Sequence, residues 1–554
     1  MDVVRVVLHG FESEIEVEQG GNLLSAVRAA GLSVDSECGG RGTCGACRVR
    51  FLEGAPPPAP EDRLLLGVTS VEGGWRLACQ ASVESDCRIV IPALAPAAAL
   101  RILTEAAVPE LAKERPSRRR LATGYGAAID IGTTTVVCYL VDLERARQIG
   151  VTAFASPQQA FGADIVSRIV YAHQGCERLA EVQSCLVRAI EEHLVELCSR
   201  HSVSLGTVSR LTAVGNLTMM HLFRGVDPWP LGVAPYRPVF TETPPVAAGA
   251  LGFQRLGHAR VSLLPGVGGQ VGSDVVAGLL ALGSAGWRKP NLFIDLGTNG
   301  EIVLLSRRIA LACSCAAGPA FEGVHISSGM VAIAGAVERV EEENGQLRLD
   351  TIDGAPPLGL CGSGLADGVT VLLRCGLLLP SGRLLAPGQV SADVPSELRA
   401  RLREEGGQRR FVLHQDALGK PILLTQADIR QVQLAKAAIR TGVDSLLEAA
   451  GLEPESIDRV FVGGAFGSSM RAESLLALGM IPQALRGRIH PVGNAAGMGA
   501  KLALIFPDRL REAERLARRI RHLPLVETPN FSSRFAAYLR FPEGTDRPSA
   551  TAGH

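Results

Sequence analysis

The chain has 554 residues, with 56 basic and 56 acidic side chains, so its formal net charge is zero. That balance argues against a surface built for nucleic acid or anionic lipid, and the length predicts several domains, each with its own core. The chain is 47% hydrophobic and 4% aromatic with 62 glycines, a composition that favours an ordered α/β protein with many backbone-controlled turns and argues against a disordered one.

The opening "MDVVRVVLHGFESEIEVEQG" alternates polar and apolar residues and carries charge throughout. It predicts two strands and lacks the apolar core of a signal peptide. No apolar run reaches the ~18 residues of a membrane span. The 13 cysteines without a secretion signal therefore predict a reducing, cytoplasmic setting, in which clustered thiols serve metals more often than disulfides. Next comes "NLLSAVRAAG", a short amphipathic helix with Leu23, Leu24 and Val27 on its apolar side.

The loop "ECGGRGTCGAC" follows, with Cys38, Cys44 and Cys47 spaced C-x5-C-x2-C, and "RLACQ" supplies Cys79. Four thiolates suit a [2Fe–2S] cluster. Gly39, Gly40, Gly42 and Gly45 allow positive φ, so that the loop can curl around the inorganic core and aim N–H groups at the sulfurs. Structural zinc is the competing reading, but it usually pairs two C-x2-C knuckles. Cys87 lies on an apparent strand and predicts a buried thiol, as do the remaining scattered cysteines. The loop resembles that of β-grasp [2Fe–2S] ferredoxins, nearer the adrenodoxin-like branch than the plant type. The fold class expected is an α+β β-grasp ferredoxin domain over residues 1–93, a linker over 94–122 and a long α/β region over 123–542, with a disordered tail over 543–554.

The α/β region contains an internal repeat. "AAIDIGTTTVVCYLVD" at 127–142 is echoed by "NLFIDLGTNGEIVLLS" at 291–306. Each predicts a β-hairpin whose turn carries glycine and hydroxyl groups, and together they predict two related lobes. No G-x-x-x-x-G-K-[ST] is present and no G-x-G-x-x-G lies between a strand and a helix, so neither a P-loop nor a Rossmann site is expected. The hairpins offer another phosphate chemistry. Gly132, Thr133, Thr134 and Thr135, then Gly297, Thr298, Asn299 and Gly300, can bring amides and hydroxyls to phosphate oxygens. Asp130 and Asp295 at the strand ends can hold Mg²⁺ through water. "VFVGGAFGSSM" then breaks a strand at Gly463, Gly464 and Gly467, where backbone can lie flat against a purine. "GGQVGSDVVAGLLALG" and "GNAAGMGAKLAL" predict helices rich in small residues, suited to close helix–helix packing.

This order resembles the ATPase core shared by actin, sugar kinases and heat-shock chaperones, a two-lobed α/β architecture with a repeated ribonuclease H-like fold. The resemblance implies ATP as ligand, Gln433 and Lys436 at the ribose or purine, and Asp274 beside Asp130 and Asp295 near Mg²⁺ and the attacking water. With the cysteine loop and the stretches "FGADIVSRI", "VGNLTMMHL", "SCAAGPAFEG", "LCGSGLAD" and "LVETPNFSSRF", the chain resembles the ATP-dependent reductive activators of corrinoid enzymes.

That family implies an electron entering at the cluster from a ferredoxin, flavodoxin or reductase. It leaves for the corrinoid protein of a methyltransferase system, which returns from cob(II)alamin to cob(I)alamin. The assembly could be a homodimer. Plant-type clusters lie near about −400 mV. The cobalt couple is expected to lie lower, and each ~59 mV of one-electron deficit costs about 1.4 kcal/mol, hence the need for ATP. No Asp-x-His-x-x-Gly corrinoid signature is present, so the B12 belongs to the partner. The family also implies a small domain between linker and ATPase, for which the stretch from Pro92 to Tyr125 leaves little room. Three other readings share the modules: an ATP-coupled donor to a non-corrinoid acceptor such as a dehydratase, a small-molecule kinase with a redox sensor, and an electron-transfer adaptor that binds nucleotide without turnover.

Overall fold

The computed structural model describes residues 3–8, 14–30, 34, 40, 42, 45, 47–91, 123–162, 164–323, 325–415, 421–464 and 469–543. The expected linker at 94–122 lies outside the described residues, and so does the expected tail except for Glu543.

The N-terminal unit is a mixed sheet with a helix laid on it. Its strands are β1 (Val3–Leu8), β2 (Glu14–Glu18), β3 (Arg48–Glu53), β4 (Trp75–Leu77) and β5 (Cys87–Val90), in the order β2-β1-β5-β3-β4. β1 runs parallel to β5 and antiparallel to β2, the arrangement of a β-grasp. Helix α1 (Leu23–Ala29) buries Leu23, Leu24 and Val27 against it, as its periodicity predicts. In β2 burial alternates with each residue, because one face meets the core and the other water.

The rest of the chain builds the same five-stranded core sheet twice, each with a sixth strand on a different edge. In the first lobe β6 (Tyr125–Ile131), β7 (Thr135–Asp142), β8 (Arg147–Ala155), β9 (Val208–Gly215), β10 (Val246–Ala247) and β11 (Arg260–Leu263) run β8-β7-β6-β9-β11-β10. The first lobe also carries helices α2 (Ile165–Ala172), α3 (Cys176–Arg200), α4 (Leu217–Arg224) and α5 (Ser273–Ala281). In the second lobe β12 (Asn291–Leu296), β13 (Gly300–Leu305), β14 (Ala310–Cys315), β15 (Arg459–Gly463), β16 (Ile489–Gly493) and β17 (Arg521–His522) run β16-β15-β12-β13-β14-β17. In each lobe an antiparallel three-strand meander is extended by two strands parallel to its first member. The repeat read from the sequence is therefore a repeat of topology. β6 and β12 sit centrally and are apolar along nearly their whole length, since both sheet faces are covered.

The second lobe carries an insertion over residues 336–425, which forms two three-stranded sheets and helix α6 (Gly362–Arg374). It returns through α7 (Gln426–Ala450), whose start is a capping box between Thr425 and Asp428. After β16 come α8 (Ala495–Ile505) and α9 (Pro507–Arg519), and the C-terminal segment ends in α10 (Phe531–Tyr538). One core cluster joins both lobes, with Tyr139 and Val275 from the first and Phe293 and Ala500 from the second. At its centre α5 packs on α8. Gly499 lies against the backbone of Ala277 and leaves no space for a side chain, so the small residues serve close helix–helix packing as expected. Among the described residues no helix is long and apolar enough to cross a membrane.

Candidate functional site

Both repeated segments are hairpins. β6 and β7 pair Asp130 with Val137, and the turn closes through Gly132 N–H to Thr135 O at 3.0 Å. β12 and β13 pair Asp295 with Glu301, and Gly297 N–H reaches Asn299 O at 3.2 Å. The two strand ends lie within electrostatic reach of each other, and nearby helix starts deliver further groups. Asn494 caps α8 by accepting from Gly497 N–H at 2.7 Å, while its amide donates to Asp130 Oδ2 at 2.8 Å. Asn216 caps α4 by accepting from Met219 N–H at 2.9 Å, and its amide donates to Thr133 Oγ1 at 3.1 Å. One side chain thus starts a helix and holds a hairpin residue in each case. Asp274 stands at the start of α5, within electrostatic reach of Asp295 and Asp130.

These carboxyls are crowded and poorly solvated. Burial pushes Asp130 up to about 6, tempered by the Asn494 amide. Burial and the charge of Asp130 push Asp295 to about 7. Burial and then Asp295 push Asp274 to about 8. Glu301 is held well above the usual carboxylate range by burial and by Asp274 and Asp295. A cation entering the cleft would relieve all four. Carboxylate oxygens are the donor type a hard cation such as Mg²⁺ takes, so the chemistry of this group is compatible with that ion.

The remaining predicted residues divide. Gly463 ends β15, and Gly464 at φ 90° lies so close to Asp295 and Leu296 that a side chain would collide with them. The turn read as a purine contact therefore meets the second hairpin, although Gly467 lies outside the described residues. Gly300 packs beneath the Ile439 side chain of α7, whose terminal methyl would have to move to admit a side chain there. Thr134 and Thr298 both donate to Glu322. Gln433 and Lys436 take partners other than those the resemblance implied. Both are buried, and the Gln433 amide donates to Leu539 O at 2.6 Å and Ser381 O at 3.1 Å. The Lys436 ammonium donates to Arg540 O and lies over the Phe541 ring. A buried amide and ammonium need acceptors, and the C-terminal segment supplies its carbonyls. Contact with a ribose or purine through these groups would compete with that segment.

Sequence reasoning missed Glu301, Glu322, Asn216, Asn494 and Arg168. Arg168 is fully buried, donating to Gly162 O at 2.9 Å and to Thr133 O at 2.7 Å, so "FGADIVSRI" braces the first hairpin. The capping pattern Asn-x-x before apolar runs could have marked Asn216 and Asn494 as helix starts, but not their second partners. His221 is a core histidine, bonded to Leu217 O and Val239 N–H and stacked on Phe240.

At the cysteine loop the described residues fit a cluster. Gly40, Gly42 and Gly45 have φ of 92°, 74° and 71°, the left-handed region that glycine allows. The Gln80 amide donates to Cys79 Sγ at 3.5 Å, a contact of the kind that would tune a thiolate if Cys79 is a ligand. Cys47 and Cys79 are buried, while Cys38 and Cys44 lie outside the described residues. Burial pushes the Cys87 thiol up to about 11, as its strand position predicts. Cys176 departs from expectation, since it is exposed at the first turn of α3.

Comparison with known proteins follows the same division. Residues 6–84 match the 2Fe-2S iron-sulfur cluster binding domain, 125–285 the RACo middle region and 289–551 the C-terminal, ASKHA domain of RACo. The corrinoid activation enzyme RamQ of Eubacterium limosum is 33% identical over 427 residues, covering 76% of this chain and 70% of that protein. A Methanosarcina barkeri reductase of a Co(II) methylated amine-specific corrinoid protein is 24% identical over 455 residues, 75% and 77% of the two chains. The solved structure of a reductive activator for a corrinoid, iron-sulfur protein superposes with a TM-score of 0.69 at 30% identity, covering 97% of this chain and 98% of that one. Residues 125–285, which match the RACo middle region, contain the first lobe, and the alignment leaves almost none of the solved activator unmatched. With an iron-sulfur domain, a middle region and an ASKHA domain in this order, the chain belongs to the family of reductive activators of corrinoid proteins.

Proposed function

We propose that this chain is an ATP-dependent reductive activator that delivers one electron to a corrinoid protein, returning its cob(II)alamin to cob(I)alamin. The observation that carries the nucleotide half is the cleft in which Asp130, Asp274, Asp295 and Glu301 converge from both lobes. When bound, the [2Fe–2S] cluster supplies the electron and Mg²⁺ offsets the charge of the phosphates. The chain's own residues do the rest. Cys38, Cys44, Cys47 and Cys79 hold the cluster, and Gln80 biases its potential through Cys79. Asp130 and Asp295 would hold the metal, with Asn494 orienting Asp130. The turn at Gly463 and Gly464 brings the base side of the site against the second hairpin.

Nucleotide that binds both lobes favours the closed cleft, and it can drive the partner only through a difference in affinity between closed and open forms. Electrons enter from a small redox protein, and the B12 is carried by the partner.

The deciding experiment mixes the reduced protein anaerobically with a cob(II)alamin-containing corrinoid protein and follows the absorption spectrum. Loss of cob(II) and appearance of cob(I) only with ATP is the expected outcome. Equal reduction with and without ATP across several corrinoid partners overturns the reading. Cys79→Ser is the matched control: it should lose the rhombic signal of the reduced cluster and all electron transfer while ATP binding persists.

A further inference from the structure

The most distinctive contact between the hairpins centres on Glu322, a residue assigned to neither metal nor nucleotide, and holds Thr134 and Thr298, two of the threonines read as phosphate donors. Glu322 lies in "SCAAGPAFEG", at the end of a single 3-10 turn (Pro319–Glu322) leading out of β14. The turn is locked from both sides. Gly318 and Gly323 take φ of 78° and 76°, Gly323 lies against the backbone of Met330, and Gly362 lies against Phe321 O. The carboxylate is buried, at 7% exposure. One oxygen accepts from Thr134 Oγ1 of the first hairpin at 2.7 Å, and the other accepts from Thr298 Oγ1 of the second. A single side chain therefore joins the two lobes across the cleft floor, between residues separated by 188 positions on one side and 24 on the other.

A hydroxyl has one proton to donate. While Thr134 and Thr298 hold Glu322, that proton is not available to a phosphate oxygen. The two threonines are thus couplers before they are ligands. Opening the lobes would break one of the two bonds and leave a buried carboxylate short of a donor, which is costly.

We propose that Glu322 is a positioning residue that keeps the two phosphate hairpins in catalytic register, acting through Thr134 and Thr298. The proposal rests on the nucleotide reading above. Binding energy for ATP comes from many contacts on both lobes, whereas hydrolysis needs the two hairpins aligned to within a fraction of an ångström. Loss of the bridge should therefore appear in kcat more than in affinity.

The test uses the full-length, cluster-loaded protein and measures ATP affinity with a fluorescent ATP analogue and ATP hydrolysis separately. Glu322→Gln keeps the shape but can serve only one threonine as a full acceptor. It should lower kcat about tenfold, the worth of one charge-assisted hydrogen bond, while the dissociation constant changes less than about twofold. Thr298→Val should show the same loss, and Glu322→Gln with Thr298→Val should lose no more than either alone, the signature of residues acting as one unit. Losses that multiply in the double variant, or a loss of affinity at unchanged kcat, overturn the proposal. Melting temperature and the cluster signal check folding, and if Glu322→Gln fails that check, Thr134→Val with Thr298→Val tests the same bridge from both lobes. A wild-type protein that neither binds nor hydrolyses ATP sinks the nucleotide reading itself. A wild type that does both, matched by Glu322→Gln, sinks this inference alone.

Discussion

In the first hairpin Asp130 stands opposite Val137 and receives the amide of Asn494; in the second, Asp295 stands opposite Glu301 and close to Asp274. The backbones are equivalent, with the same order of five core strands around them and the same Asp-x-Gly-Thr start. The surroundings are not. One carboxylate is stabilised by a donor reaching over from the opposite lobe. The other belongs to a crowded acidic group. The difference separates two carboxylates that look identical in sequence: one is oriented by an amide, and the other sits in a concentration of negative charge.

The largest effect should come from removing the carboxylates. Asp130→Asn with Asp295→Asn should lower ATP hydrolysis by at least about a hundredfold, comparable with loss of a strong electrostatic contact in a catalytic site. Corrinoid reduction by that variant should no longer respond to ATP. If ATP dependence persists, the assignment of these two residues is wrong.

The next effect lies where the lobes cross. Gly499→Val places a side chain against the backbone of Ala277 and forces α5 and α8 apart, displacing Asp274 and Asn494 together. Overpacking of this kind costs about 2 kcal/mol, readable as a lower melting temperature. Affinity for ATP should fall with it.

The pH dependence sharpens the contrast between the hairpins. Asp130, Asp295 and Asp274 keep their protons in the fold up to about 6, 7 and 8, against an ordinary value of 3.8. The folded protein therefore holds protons that the unfolded chain has released. The stabilisation is complete below the ordinary value and is lost as pH rises through the folded values. The melting temperature of the nucleotide-free protein should fall as pH is raised from about 5 to about 8. Asp295→Asn should remove more of that fall than Asp130→Asn. Equal slopes would mean that the two environments differ less than the geometry indicates.

The smallest effect belongs to Asn494→Ala. It removes a helix cap worth about 1 kcal/mol and the donor on Asp130. It should raise the pH at which Asp130 releases its proton, seen as a shifted acid limb in the pH profile of ATP hydrolysis. The equivalent substitution Asn216→Ala should lose the cap and leave that limb in place.

Much of this was legible in the sequence because it is local. Hairpins announce themselves by two apolar runs around a Gly-Thr turn, and a cluster loop by cysteine spacing among glycines that need positive φ. The apolar positions of α1 followed from periodicity, and the small-residue helices from their composition. The resemblance of both halves to known modules then named the family, which the matched domains bear out.

What the sequence could not decide was which side chains meet. Asn494 lies 364 positions from Asp130, and Glu322 lies 188 from Thr134. Gln433 and Lys436 have the right chemistry for a nucleotide, yet their partners are carbonyls at Leu539 and Arg540, more than a hundred positions away. The polar choices depend on how two lobes and a C-terminal segment come to rest against each other. Local pattern specifies the hairpins because backbone geometry is set by neighbouring residues; only tertiary packing specifies the bridge between them, because a buried donor or acceptor takes whichever partner the fold brings within reach.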